Sequence, residues 1–353
     1  MNRFDLPMNA TAELTVRELS LADFSRWDDF VLACPQATFF HRAGWKTVIE
    51  KAFGHRCTFL YAEAGGRIEG ILPLAEVKSL LFGHSLVSLP FCVYAGIAAV
   101  SERAYAALDQ AAQALAAKLK VEHLEYRALE ARHPDWAHKE LYVTFRKEIL
   151  PDVEANMLAI PRKQRAMVRK AIKLGLEGHL DDGIERFFLA YSTSVHRLGT
   201  PVFAKKYFRI LREVFGKDCD VLTITRGDDL VASVLSFYFR DEVLPYYGGG
   251  TDLARETAGN DFMYWDLLRR ACERGLKTFD FGRSKLGTGA YDFKKNWGFE
   301  PTPLPYEYQL VTATALPDHN PLNPKYQRFI QMWQRMPLWL ANTIGPHIVR
   351  NLG

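Results

Sequence analysis

Residues 219–239, CDVLTITRGDDLVASVLSFYF, repeat the pattern of residues 57–77, CTFLYAEAGGRIEGILPLAEV. Each is an apolar run, a short turn built on Gly with Gly or Asp, and a second apolar run. That is the signature of a β-hairpin. In the first half a strand (Leu86 to Ala99), a helix (Ala104, Leu108, Ala111, Leu115, Leu119) and a returning strand (Leu124 to Arg127) follow. In the second half the same order recurs as Val243 to Gly249, Asp261 to Arg274 and Phe279 to Phe281. The copies stand a domain's length apart, too far for a solenoid repeat. The simplest reading is two copies of one mixed α/β domain, over 1–150 and 151–315, with a helical extension over 316–353. Two such domains create a cleft between them, the usual place for a ligand. Two unrelated α+β domains with similar hairpins are the alternative.

Working outward from the second hairpin, the chain reaches TFDFGRSKLGTGAYDFKKNWGFEPTPLP, residues 278–305. A short strand leads into a turn through Gly282, Gly287 and Gly289, with Arg283 and Lys285 between them. A helical piece follows, Tyr291 to Lys295, closed by Asn296-Trp297-Gly298. Glycines let backbone N–H groups approach anionic oxygens, and a helix start adds a positive dipole end. The same residues also read as an ordinary glycine-rich connection.

The bulk properties narrow the class. With 48% apolar and 24% charged residues in 353, this is an ordinary globular composition. A net charge of +4 is too small to argue for stable DNA binding. The five cysteines, Cys34, Cys57, Cys92, Cys219 and Cys272, form no CxxC pair. An odd, scattered set points to a reducing compartment rather than a disulfide framework or zinc site. No secretory h-region precedes Leu14 and no apolar run is long enough to span a membrane, so the chain reads as cytoplasmic. The first dozen residues read as a loose tail. The stretch from Tyr326 to Arg350 is amphipathic. It either packs on the body or lies at a membrane interface, with Arg328, Arg335 and Arg350 flanking its aromatics.

Nothing matches GxSxG, HExxH, GxxxxGK[ST] or a GxGxxG opening a βαβ unit. The histidines have no metal-ligand spacing; His41 and His196, each beside an arginine, read first as structural groups. What remains is a polar set in the second half. A helix from Arg162 to Lys173 carries Arg162, Lys163, Arg165, Arg169, Lys170 and Lys173 with no acid among them. A solvated face is the ordinary reading of such a run, but no i,i+4 acid supports it. Arg197, the strand end Tyr246 to Gly250 with Gly249 and Gly250, and Asn260 come next. Arg283, Lys285, Tyr291, Lys294 and Lys295 complete the set. Converging on one cleft wall, they would suit a phosphate-bearing donor such as a coenzyme or a nucleic-acid 3′ end.

Three segments resemble the Fem-type transferases: RKQRAMVRKAIKLGL from Arg162, HRLGTPVF from His196, and the run from Tyr246 through FDFGR…GxYxFKxxWG to Pro301. Within that family the chain is most similar to the Fem-like proteins associated with PEP-CTERM/exosortase gene clusters of exopolysaccharide-making bacteria. The resemblance implies tandem GNAT (acetyltransferase) domains. It also implies transfer of an acyl group from a coenzyme thioester, or of an aminoacyl group from charged tRNA, to an amine. In the family's peptidoglycan branch the Lys of a short Phe-Lys sequence supports the donor's charge, which falls here on Phe293 and Lys294. The coiled-coil arm of some members and the GNAT Q/RxxGxG/A loop are not present in this sequence, so acyl-coenzyme A and aminoacyl-tRNA both stand as donors.

The chemistry is then direct attack of an amine on a carbonyl, with donors for the oxyanion and no protein nucleophile. Lys294 is the first choice for holding that charge and Arg283 the second. Asp280 is the leading candidate base, ahead of His196 and Asp261, with the substrate itself as a further option. The acceptor is an amine on a sugar, peptide or small molecule of envelope or exopolysaccharide synthesis. A non-catalytic module that binds a glycan or nucleotide sugar is the reading from another class.

Overall fold

The computed structural model describes residues 12–79, 83–316 and 324–351. The N-terminal tail and most of the loop around Pro317 and Pro321 lie outside them. The chain divides into two compact units. One takes the chain up to Glu140 and the segment beginning at Leu304; the other takes Leu141–Pro303 and the C-terminal helices.

The first unit opens with β1 (Leu14–Glu18), α1 (Phe24–Ala33) and α2 (Gly44–Phe53). The hairpin β2 (Arg56–Ala64) and β3 (Arg67–Ser79) follows, then β4 (Gly83–Val87), β5 (Ala98–Ala99), α3 (Glu102–Leu119), β6 (His123–Tyr126) and β7 (Ala137–Lys139). Alternation along β2 sends neighbouring residues to opposite faces. Phe59 stacks on Trp27 of α1, whereas Leu60 and Ala62 join the core beneath α3. Antiparallel β1–β4 continue into a parallel β4–β6 pair, so the sheet is mixed.

The second unit begins with β8 (Tyr142–Glu148), α4 (Val153–Ala159), α5 (Arg162–Lys173) and β9 (Leu176–Leu180). Then come α6 (Glu185–Arg197), α7 (Lys205–Phe215), β10 (Cys219–Arg226), β11 (Asp229–Phe239) and β12 (Glu242–Gly250). The unit closes with α8 (Leu253–Thr257), α9 (Gly259–Glu273), β13 (Thr278–Asp280), β14 (Ser284–Lys285), α10 (Gly289–Asn296) and β15 (Pro301–Pro303). The repeated hairpin is β10–β11, in register from Cys219↔Phe237 to Arg226↔Asp229. The sheet runs β14-β8-β13-β12-β11-β10-β9, with β15 also on β8. Its pairing is antiparallel except between β12 and β13.

The sequence reads a strand from Leu141 to Ile149, closed by Pro151, as the last of the first half; it forms β8. It pairs instead with β13, β14 and β15 of the second unit. In return, β16 (Tyr306–Leu310) enters the first sheet between β6 and β7. The units therefore change over at Glu140 and again at Leu304, rather than at 150 and 315. Pairing is decided across the sheet, and no local pattern announces it.

The amphipathic C-terminal stretch forms α11 (Pro324–Arg335) and α12 (Leu338–Val349). Trp333 is buried, Ile330 closes on Gly199 and Gly345 lies against Val202, so both helices pack on the second unit; Trp339 stays 69% exposed. Among the described residues no helix is long and apolar enough to cross a membrane. All five cysteines are buried and none is in a disulfide.

Candidate active site

β12 and β13 pair at only two positions, Glu242↔Thr278 and Val243↔Phe279. β12 then runs on to Gly250 without β13 as its neighbour. A bulge opposite Leu235 and Ser236 of β11 re-aims it. Successive glycines at its end face opposite ways. The Tyr264 phenol of α9 lies 3.2 Å from where a Cβ on Gly248 would stand, and its ring meets Phe281 edge-on at 4.6 Å. Tyr264 thus spans the gap between the diverging strands. On the other face a Cβ at Gly249 would stand 2.7 Å from Ala190 O of α6. Back on the face of Gly248, a Cβ at Gly250 would meet Ala254 at 2.6 Å and Asn260 Oδ1 at 2.8 Å. The sequence reads Gly249, Gly250 and Asn260 as donor-binding. In the fold they gather at the end of β12, where both glycines allow helices to pack against the strand.

The turn after β13 is built by Asp280. Its carboxyl is 1% exposed; Oδ1 accepts from Gly282 N–H at 2.7 Å and Oδ2 pairs with Arg146 Nε at 3.4 Å. Gly282 takes the left-handed conformation, φ 67°. A carboxylate so engaged holds the turn, which leaves less room for the role of general base. Arg283 lies 4.4 Å above the Tyr142 ring, and Lys285 Nζ is 5.6 Å from the same ring. Thr288 caps α10: its hydroxyl accepts from Tyr291 N–H and donates to Lys285 O.

α10 brings Lys294 back over this turn. Its Nζ donates to Gly282 O at 3.0 Å and Arg283 O at 3.1 Å, and stands 5.7 and 5.8 Å from the Phe145 and Phe281 rings. Burial pushes its pKa down to about 7; Arg283 adds to the push and Asp280 opposes it. An ammonium has three donors. Two are spent on backbone carbonyls, and one remains for a ligand oxygen. Tyr291 packs edge-on against Phe145, and Phe293 lies tilted against Tyr264. Beneath them Trp297 is buried, and its indole N–H donates to Asp261 Oδ1 at 3.0 Å. Burial raises the Asp261 pKa against the effect of that bond.

The fold therefore brings Asp280, Arg283, Lys285, Tyr291, Phe293 and Lys294 together. Arg162, Arg165 and Arg169 line a groove of their own, about 580 Å³, with Lys170 and Lys173. Lys170 Nζ donates to Glu256 O at 2.9 Å, which ties this basic helix to α8 near the end of β12. His196 Nε2 donates to Met336 O at 2.8 Å and fastens the C-terminal helices. His41 bonds Gly96 O at 2.8 Å and caps its own turn through Thr38. Sequence reading missed Tyr264, Tyr142, Phe145 and Arg146. The last three stand on a strand far away in sequence; Tyr264 is one aromatic among several on α9.

Residues 162–295 match the acetyltransferase (GNAT) domain family. Curated proteins give no significant sequence match. Among solved structures, the crystal structure of FemX superposes with a TM-score of 0.64 at 14% identity, covering 91% of this chain and all of that one. A tandem GNAT protein from the clavulanic acid biosynthesis pathway, solved without AcCoA, gives 0.52 at 14% identity, over 86% of this chain and all of its own. A conserved protein of unknown function from Bacteroides thetaiotaomicron gives 0.57 at 11% identity, over 85% of this chain and all of its own. At these identities the likeness is one of fold: the chain has a tandem GNAT fold, and its second unit contains the stretch that matches the acetyltransferase (GNAT) domain family.

Proposed function

We propose that the second unit is an N-acyltransferase in which Lys294 holds the charge that develops on the donor. The carrying observation is a half-buried ammonium with one N–H to spare, held over the turn that follows β13 and flanked by the Phe145 and Phe281 rings. An amine acceptor attacks the donor carbonyl. A C–N bond forms, the C–S or C–O bond to the carrier breaks, and the amine proton ends on the leaving group or solvent. Lys294 donates to the oxyanion, in a site poor in water where such a bond counts for most. No nucleophile of the chain takes part. The diverging strands give an extended amide-bearing arm a place to lie along β12, and the α5 cations suit the donor's phosphates.

Acyl-coenzyme A is the favoured donor; aminoacyl-tRNA is the second reading, supported by the acid-free face of α5. The resemblance to PEP-CTERM-associated Fem-like proteins supports an acceptor amine on an envelope or exopolysaccharide precursor. It also supports work in the cytoplasm, at or near the inner membrane face. A thermal-shift panel tests the donor. Stabilisation by acyl-coenzyme A alone supports the first reading, by charged tRNA alone the second. Stabilisation by nucleotide sugars alone, with no turnover, overturns both in favour of a binding module.

Two kinetic predictions follow from the geometry. Replacing Arg162, Arg165 and Arg169 together by Gln is expected to raise the donor KM about tenfold with kcat unchanged, and to flatten the dependence of KM on salt. An unchanged KM would remove α5 from donor binding. The second concerns pH. The folded pKa of Lys294, about 7, lies below its ordinary value, so the charged form dominates only below that pH. The ratio of wild-type to Lys294→Arg activity should fall as pH rises through about 7, since Arg stays charged. Taking the ratio cancels ionisation of the acceptor. A ratio that rises instead makes Lys294 the base.

A further inference from the structure

Away from the Lys294 group, the second unit holds an apolar pocket of about 380 Å³. The end of α4 and α9 wall it with Ala159, Ile160 and Leu268; Phe279, Trp297 and Phe299 close the other side. Three polar side chains reach it, and each has a distinct state. Glu148 is exposed. Asn156 is fully spent: its amide N–H groups donate to Leu150 O at 2.7 Å and Asp152 O at 2.8 Å, and its oxygen accepts from Leu150 N–H at 3.0 Å. Lys147 is not spent. Its Nζ reaches Ala159 O at 3.5 Å, the limit of a hydrogen bond, and stands 5.7 Å from the Phe299 ring. Among the described residues no carboxylate lies within ion-pair distance of it, and burial alone lowers its pKa.

A half-buried cation without a counter-charge, at the rim of an apolar hole, is an incomplete arrangement. Both deficits are met by one kind of molecule. We propose that this pocket binds a single-chain aliphatic carboxylate, its tail between the helices and the aromatic floor and its carboxylate on Lys147. The volume lies within the range of small-molecule sites. A neutral alkane would leave Lys147 uncompensated, and an alkylammonium would repel it. Trp297 belongs both to this floor and to the cluster beneath Lys294, so an occupant touches the support of the candidate active site. The site stands on its own geometry and does not depend on the transferase reading.

Isothermal titration of the full-length protein with octanoate, decanoate and dodecanoate, each below its micelle concentration, tests this. Saturable binding at one site is expected, tightening about threefold to fourfold per added methylene until the pocket is full. Ile160→Trp should fill the pocket and weaken decanoate at least tenfold. Lys147→Met keeps the apolar wall; it should weaken decanoate about tenfold and leave decanol unaffected. Absence of saturable binding by the wild type overturns the proposal. So does decylamine binding as tightly as decanoate, or decanoate binding to Lys147→Met unchanged. Should Ile160→Trp not fold, Lys147→Met and the head-group series decide.

Discussion

Lys294→Ala is expected to fold and to lose about 10²–10³-fold in kcat with any donor the enzyme accepts, the cost of removing one oxyanion donor. The argument rests on where the ammonium stands. Two of its protons are fixed by Gly282 O and Arg283 O, so its position is set before substrate arrives. Preorganised donors pay no reorganisation at the moment of reaction, and that advantage disappears with the side chain. Stability should change far less, because the lost bonds are offset by the burial cost of the charge. Unfolded Lys294 keeps its proton to a higher pH than the folded form. The unfolded state thus binds more protons between about pH 7 and its ordinary value near 10.5, and wild type should gain stability over Lys294→Ala as pH rises through that window. Steady-state kinetics and urea unfolding of the two proteins measure both effects. Wild-type turnover in the variant would remove Lys294 from the chemistry.

Trp297→Ala should cost about 3–5 kcal/mol of stability. The ring is one of the largest fully buried side chains, packed among Tyr264, Phe281 and Phe293. Its removal opens a cavity directly beneath α10 and strips Asp261 of its indole donor, in surroundings that already disfavour the carboxylate. Trp297→Phe keeps most of the packing and loses only the N–H, for about 1–3 kcal/mol. Urea midpoints of the three proteins order the effects. Near-equal losses for Ala and Phe would place the energy in the hydrogen bond rather than in the packed ring.

The two hairpins were legible because each carries its own turn and its own apolar runs, and the observed β2–β3 and β10–β11 fall where those signals stand. α9 was legible for the same reason, its apolar positions recurring at helical spacing over four turns. β9 was not: Leu176–Leu180, LEGHL, has no β-branched residue and is held by the edge of β10. The widening between β12 and β13 has no local signal either, since it is a matter of how long two strands stay paired. The glycines show a further limit. Gly248 to Gly250 announce that a Cβ would collide with something, but the residue type does not say whether that neighbour is a ligand oxygen or a helix. Here Ala190, Ser194 and Ala254 account for two of them. Convergence on Lys294 was half legible. The residues from Asp280 to Trp297 lie within one short stretch, while β8 supplies Tyr142, Phe145 and Arg146 from more than a hundred positions earlier.

The crossing of β8 and β16 fixes an order of events during synthesis. The first unit's sheet has β16 between β6 and β7. Until residue 310 has left the ribosome, those two strands lack their shared neighbour. The strands and helices of Leu141–Pro303 have all emerged by then, so the later-translated unit can close its sheet while the earlier one still waits with an open seam. The nascent chain therefore carries a ready acceptor for a stray strand while the whole of Leu141–Pro303 is being made, and it is the short segment Tyr306–Leu310 that seals it.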